Sequence, residues 1–307
     1  MPPGIKMKKI LVIGSLNMDL VTTTDRVPII GETIYGTGFH TYPGGKGANQ
    51  AVACARLGNR VTMIGCVGND EFGNTLAKNL ADNNININCI EKLENINTGI
   101  ATIVVANHDN FIILDTGANA LVTPEYIEKY ADEISSSDYI ILQNEVPMET
   151  NIKILTDSSR KAKIIYNPAP AVKIPQEYFE YIDYFIPNQH ECGFILENSI
   201  ETVEDGLIAV KKLNELGIRN VIITMGKDGA VFNDKNEAKH MPCPVVKVLD
   251  TTAAGDSFCA GIVTGLSENM SITEAVRFAT AVASLTVTKE GAQSSLPHLK
   301  EVETFLA

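Results

Sequence analysis

The chain has 307 residues, 45% of them apolar and 20% charged, with 23 glycines and no tryptophan, the make-up of an ordinary folded globular protein. Its formal net charge of −12 argues against a protein that tracks nucleic-acid phosphates, which needs clustered Lys and Arg. At about 100 to 200 residues per domain the length suggests two domains, although a large α/β sheet reaches this size as one, and no apolar stretch approaches the ~18 residues of a membrane span.

Short apolar runs alternate with helix-sized segments along the chain. Lys9 to Gly14 reads as a buried parallel strand ending in glycine. Helical patterns follow at Gly47 to Leu57 and Phe72 to Asn83, with a strand from Val61 to Val67 between them. Further strands are expected at Tyr139 to Gln143, Lys163 to Asn167, Tyr184 to Ile186 and Val221 to Thr224, separated by segments such as the helix Val203 to Leu216. The alternation predicts an α/β fold, a mostly parallel sheet covered by helices on both faces. Two regions break it. Thr33 to Tyr42, and Thr98 to Ala106 with Phe111 to Asp115, read as β-rich without intervening helices. They are either ragged edge strands of the main sheet or a small β subdomain, and a small sheet beside a large domain makes a cleft and a lid.

The six cysteines, Cys54, Cys66, Cys89, Cys192, Cys243 and Cys259, include no CxxC pair and lie mostly in apolar stretches, as buried thiols of a reducing compartment would. Met1 to Lys9 is basic, but the apolar run after it, Ile10 to Ile13, is too brief for a signal sequence, so a cytoplasmic location is expected.

Common chemical signatures are missing. Gly14-Ser15-Leu16-Asn17-Met18-Asp19 follows the first strand without the later glycines of a dinucleotide loop, and Lys46 is followed by Gly47 where a Walker loop has Ser or Thr. No GxSxG or HExxH occurs, and His40, His108, His190, His240 and His298 share no metal-ligand spacing. What stands out is Asp250-Thr251-Thr252-Ala253-Ala254-Gly255-Asp256-Ser257-Phe258 ahead of a helical stretch, Cys259 to Leu266. Small residues before a helix leave its first N–H groups open to an anion. A carboxylate in that turn, Asp256, is either a base for a hydroxyl that attacks phosphate or a helix N-cap.

This motif is similar to the C-terminal signature of the ribokinase family of carbohydrate kinases, and Gly44-Gly45-Lys46-Gly47-Ala48-Asn49-Gln50-Ala51 to its N-terminal signature. Asn188-Gln189-His190-Glu191 resembles the family's N-x-x-E motif, and the Gly14 to Asp19 stretch its opening. The likeness runs from about Lys8 to Leu306. It implies one kinase domain over 8–307, with a small β-sheet lid formed by about 20–43 and 97–116. The implied reaction is ATP-dependent phosphorylation of the 5-hydroxyl of D-ribose, with Asp256 as general base and an anion hole at Ala253, Ala254 and Gly255. Sugar contacts would come from Asn17, Asp19, Gly44, Gly45, Lys46, Asn49 and Glu145, polar groups at strand ends and a helix start that pair with hydroxyls when water is excluded. Asn188, Glu191, Thr224, Gly226, Gly229, Gly255 and Thr280 would border the nucleotide, with Glu191 organising water around Mg²⁺.

The resemblance also implies a K⁺ site beside the anion hole: the Asp250 side chain, carbonyls of Thr252, Thr286, Lys289 and Gly291, and the Ser295 hydroxyl. Thr252 departs from the isoleucine common in ribokinases at that position, which a carbonyl ligand survives. The expected partners are a small sugar and ATP, with no nucleic acid or membrane, and a homodimer through the lid. Deoxyribokinase and nucleoside kinase are the alternatives within the family. Asn17 speaks for ribose, because related deoxyribokinases carry an apolar residue there. A silent sugar-binding regulator is the alternative outside catalysis, and it would have no use for Asp256, Gly255, Asn188 and Glu191 together.

Overall fold

The computed structural model describes residues 8–106 and 109–307. Most of the basic N-terminal stretch, and His108, lie outside the described residues. In chain order the first half forms β1 (Lys9–Ile13), β2 (Asn17–Thr23), β3 (Gly38–Gly44), α1 (Lys46–Arg56), β4 (Arg60–Gly68), α2 (Glu71–Asp82), β5 (Asn86–Leu93), β6 (Gly99–Ala106) and β7 (Asp109–Asp115). A 3-10 turn, Gly117–Leu121, leads to α3 (Pro124–Glu128), α4 (Ala131–Ser136), β8 (Tyr139–Leu142), α5 (Met148–Thr156), β9 (Lys163–Tyr166) and β10 (Tyr184–Phe185). The remainder is α6 (Gln189–Leu196), α7 (Val203–Glu215), β11 (Asn220–Thr224), β12 (Ala230–Asp234), β13 (Glu237–Met241), α8 (Ala254–Ser267), α9 (Ile272–Thr286) and α10 (Leu299–Leu306).

The described strands form two sheets. The larger runs β13-β12-β11-β10-β9-β8-β1-β4-β5 and is parallel from β5 through β11. Its parallel strands are short apolar runs because both faces are covered. Along β1 the side chains alternate between two cores. Ile10 and Val12 pack with residues of α1, α8 and α9, whereas Leu11 and Ile13 pack with residues of α5 and α7. All six cysteines are free, and all but Cys243 are buried in these surroundings. No helix among the described residues is long and apolar enough to cross a membrane.

The smaller sheet runs β3-β2-β6-β7, with β2 parallel to β6 and the outer pairs antiparallel. It resolves the choice left by the sequence in favour of a separate small sheet. Four expectations change in detail. β2 begins at Asn17, which the sequence presents as a polar group after the end of the first strand, and β3 begins at Gly38 instead of Thr33. β12 and β13 add an antiparallel hairpin to the edge of the main sheet. α8 starts at Ala254, five residues before the expected Cys259, so Gly255 and Asp256 belong to its first turn. The mixed, half-exposed composition of β2, β3 and β13 hides them from a reading based on apolar runs.

Candidate active site

The parallel strands of the main sheet end at one edge, and polar residues follow them there. Ser15 and Asn17 come after β1, Gln143 and Glu145 after β8, Asn167 after β9 and Asn188 after β10, while Thr224 ends β11. The strand order turns at β1, with β4 on one side and β8 on the other. A crevice outside the carboxyl ends at such a point is the usual ligand position in open α/β sheets.

Asp256 stands in the first turn of α8, and the helix N-cap is Ala253, at φ 61°, with no side-chain cap bond. The N-cap alternative for Asp256 is therefore ruled out. Its buried carboxylate turns to α1 instead, where Asn49 Nδ2 donates to Oδ2 at 3.0 Å and Gln50 Nε2 donates to Oδ1 at 3.1 Å. The Ala254 N–H donates to the Thr251 carbonyl at 3.2 Å, which leaves those of Ala253 and Gly255 without a backbone acceptor among the described residues. Gly255 opens to free space, since a Cβ there would meet nothing within 4 Å.

α1 is placed by the glycines before it. Gly45 has φ 88°, and a Cβ on it would lie 2.7 Å from the Asn17 nitrogen, so only glycine serves at this junction. The turn brings the Lys46 N–H to Glu145 Oε2 at 3.0 Å, and Ser15 Oγ donates to the same oxygen. The Lys46 side chain shares a cavity of about 170 Å³ with Asp256, Asn188, Glu191, Thr224 and Ala253 to Gly255. Burial pulls its pKa down, but the carboxylates of Asp256, Glu145 and Glu191 more than offset this and hold the ammonium above its ordinary value.

Glu191 and Asn188 form a capping box at the start of α6. The Asn188 N–H donates to Glu191 Oε2 and the Glu191 N–H to Asn188 Oδ1, both at 2.8 Å. Burial raises the Glu191 pKa against the pull of the Asn188 N–H and of Lys46. Its Oε1 takes no hydrogen bond among the described residues.

Asn17 and Glu145 border a second cavity, of about 290 Å³, walled by Leu114 and Asp115 of β7. Asp19 lies two residues further along β2, on the same face as Asn17. Its pKa is pushed up to about 7 by burial first, then by the charges of Glu145 and Asp256, against Lys46. Gly44 lies against its carboxylate, which a Cβ there would strike.

A third cavity, of about 420 Å³, adjoins the start of α8 and is lined by Thr224, Gly226, Lys227, Thr280 and Val246 among others. Gly255 borders both this cavity and that of Asp256. Thr280 donates its hydroxyl to the Val276 carbonyl at 2.8 Å, so it borders the cavity as a packing surface. Gly229 also borders it, but a Cβ there would run into the Met241 carbonyl, so the hairpin itself requires glycine at that site.

Asp250 clamps two loops. Its Oδ1 accepts from the Thr252 N–H at 2.8 Å and hydroxyl at 2.6 Å, and its Oδ2 from the Gly291 N–H at 2.9 Å. Burial opposes ionisation, but these donors prevail and hold the carboxyl below its ordinary value. Thr286 and Ser295 are buried, and Lys289 Nζ points away to Glu301 at 2.6 Å. Among the described residues no three His, Cys, Asp or Glu side chains gather into a metal cluster. A cation in this region would rely on backbone, hydroxyl and water oxygens around Asp250.

Several residues unassigned from sequence belong to the site. Gln50 holds Asp256, and it in turn accepts from Gln143 Nε2 at 2.7 Å and donates to Asn167 Oδ1 at 3.2 Å. Gln293 Nε2 donates to Asn49 Oδ1 at 3.1 Å, joining the loop after α9 to α1. Asn119 bonds to Asn17 at 2.7 Å. Their one sequence signal is an amide set among small or apolar neighbours, which says nothing of its partner.

Residues 7–299 match the pattern of the pfkB family carbohydrate kinases. The chain is 42% identical to a ribokinase from Lactococcus lactis, over 98% of this chain and 97% of the relative. Among solved structures it is similar to a ribokinase from Thermotoga maritima, at TM-score 0.89 and 39% identity over 98% of this chain and 99% of the other. It is also similar to a ribokinase from Arabidopsis thaliana complexed with ribose and ATP, at TM-score 0.91 and 31% identity, with the same coverage. The chain belongs to the pfkB family of carbohydrate kinases, and it is an ATP-dependent sugar kinase.

Proposed function

We propose that the protein transfers the γ-phosphoryl group of ATP to O5 of D-ribose, giving D-ribose 5-phosphate and ADP. The observation that carries this reading is the position of Asp256. It is buried between the sugar-side helix α1 and the open first turn of α8, with Asn49 and Gln50 fixing both carboxylate oxygens. In this reading O5–H gives its proton to Asp256 as O5 bonds to the γ-phosphorus and the bond to the ADP oxygen breaks. The free N–H groups of Ala253 and Gly255, with Lys46 nearby, face the charge that gathers on the phosphoryl oxygens. The Ala254 N–H joins them only if its turn bond to Thr251 opens.

ATP would occupy the cavity lined by Thr224, Gly226 and Thr280, reaching Asp256 past Gly255. Ribose would lie beside Asn17, Asp19, Asn49 and Glu145, with Gly44 and Gly45 allowing close approach. The single uncommitted oxygen of Glu191 suits Mg²⁺, which keeps most of its waters. When bound, Mg²⁺ would neutralise phosphate charge. The oxygen-rich loops tied by Asp250 suit K⁺, with the carbonyls of Thr252, Thr286, Lys289 and Gly291 and the hydroxyl of Ser295 as its ligands. The small sheet, over about 20–43 and 97–116, would act as a lid that excludes water from the transfer. Its exposed apolar residues, Phe39, Phe111, Ile112 and Ile113, favour pairing with the lid of a second copy. Buried free thiols favour a cytoplasmic location.

The deciding experiment is a coupled ADP-release assay with ribose, 2-deoxyribose, fructose and adenosine, each with and without potassium. Ribose should give the highest kcat/KM. A higher value for deoxyribose or adenosine would move the assignment to those alternatives, and release of no ADP with any sugar would leave a binding protein.

A further inference from the structure

Asn119 lies in the turn Gly117–Leu121, is 1% exposed, and uses its whole carboxamide. Oδ1 accepts from the Leu16 N–H at 2.9 Å, while Nδ2 donates to the Leu16 carbonyl at 3.1 Å and to Asn17 Oδ1 at 2.7 Å. The main chain of Leu16 sets the direction of this amide. Flipped, it would put N–H against N–H and oxygen against oxygen. With the Asn119 NH₂ fixed on that side, Asn17 must turn its oxygen toward it, and Asn17 Nδ2 remains for the cavity.

Gly99 makes room for the arrangement. It pairs with Asn17 across β2 and β6, and a Cβ there would run into both Asn119 Nδ2 and Asn17 Oδ1. Asp19, two residues along the same face of β2, supplies the complementary acceptor. A donor and an acceptor side by side match neighbouring hydroxyls, one accepting and one donating.

We infer that Asn119 is a positioning residue for specificity: it locks the Asn17 carboxamide with its NH₂ toward the sugar, so that the site demands a hydroxyl oxygen where Asn17 reaches. The inference rests on the reading of Asn17 as the group that meets O2 of ribose. Without that lock Asn17 can turn either end of its amide to the cavity, and a sugar lacking O2 is penalised less.

The test compares kcat/KM for ribose and 2-deoxyribose in the wild type, Asn17→Met, Asn119→Ala and the double variant. Asn119→Ala should reduce the preference for ribose by about three- to tenfold. The double variant should show the same ratio as Asn17→Met alone, because the two residues act through one amide. Gly99→Ala, which presses a methyl group onto the pair, should shift the ratio in the same direction. If Asn119→Ala yields no folded protein, Asn119→Ser keeps an oxygen at that position and gives the same comparison. An equal loss on both sugars, or an unchanged ratio while Asn17→Met shifts it, overturns the inference and makes Asn119 structural only. An unchanged ratio in Asn17→Met refutes the reading of Asn17 itself.

Discussion

At the scale of single residues, the two carboxylates of the sugar side have different environments and different testable consequences. Asp256 is held by two amide donors, and removing its basicity with Asp256→Asn should lower kcat by roughly 10² to 10⁴ while the sugar KM changes far less. Retention of more than a tenth of the turnover would exclude it as the base. Gly255→Val should silence the enzyme without unfolding it, since the new side chain has open space but fills the passage between the two cavities. Asp19 accepts no such bond among the described residues, and burial pushes its pKa up to about 7. In the proposed site ribose hydroxyls would donate to its ionised form, so the ribose KM should fall as pH rises through about 7 and then level off, and Asp19→Asn should flatten that profile. Stability has the opposite sign. The folded pKa is raised above the ordinary 3.8, so the favourable contribution is complete below that value and is lost as pH climbs to about 7. The Tm of the sugar-free protein should therefore drop between about pH 4 and 7, and drop less in Asp19→Asn.

At the scale of elements, the start of α8 is held from two directions. α1 supplies Asn49 and Gln50, and the loop after α9 reaches Asn49 through Gln293. Asp250 ties that loop, at Gly291, to Thr252 at the entrance of α8. A cation bound around Asp250 would order the same turn whose N–H groups are proposed to face phosphate. Potassium should accordingly raise kcat, and Asp250→Ala should show the ion-free rate whatever salt is present. Equal rates in sodium, in potassium and in neither ion would exclude such a site.

On the scale of the whole molecule, the small sheet ends in an edge strand, β7, that carries a run of exposed apolar side chains from Phe111 to Leu114. Ile113, 71% exposed on the edge strand β7, is the sharpest place to test pairing of lids. Light scattering of the wild type should give a dimer, and Ile113→Asp should give a monomer with a raised ribose KM. A monomeric wild type would remove the lid from any role in assembly.

The layered α/β architecture was legible in the chain, because a strand buried on both faces must be an apolar run and the helices between must carry one apolar stripe. Gly44-Gly45-Lys46, Asn188 with Glu191, and Gly255-Asp256 stood out because each is a contiguous run that resembles a family signature, although the partners that hold Asp256 come from α1. It takes the folded chain to show that Asn17 and Asp19 sit in a strand of a second sheet, that Asp256 is a first-turn residue facing α1, and that Ala254 already spends its N–H on Thr251. The amides Gln50, Asn119 and Gln293 depended on it most. An amide can donate or accept in either orientation, so its role is set by partners brought from as far as 244 positions away, as between Asn49 and Gln293.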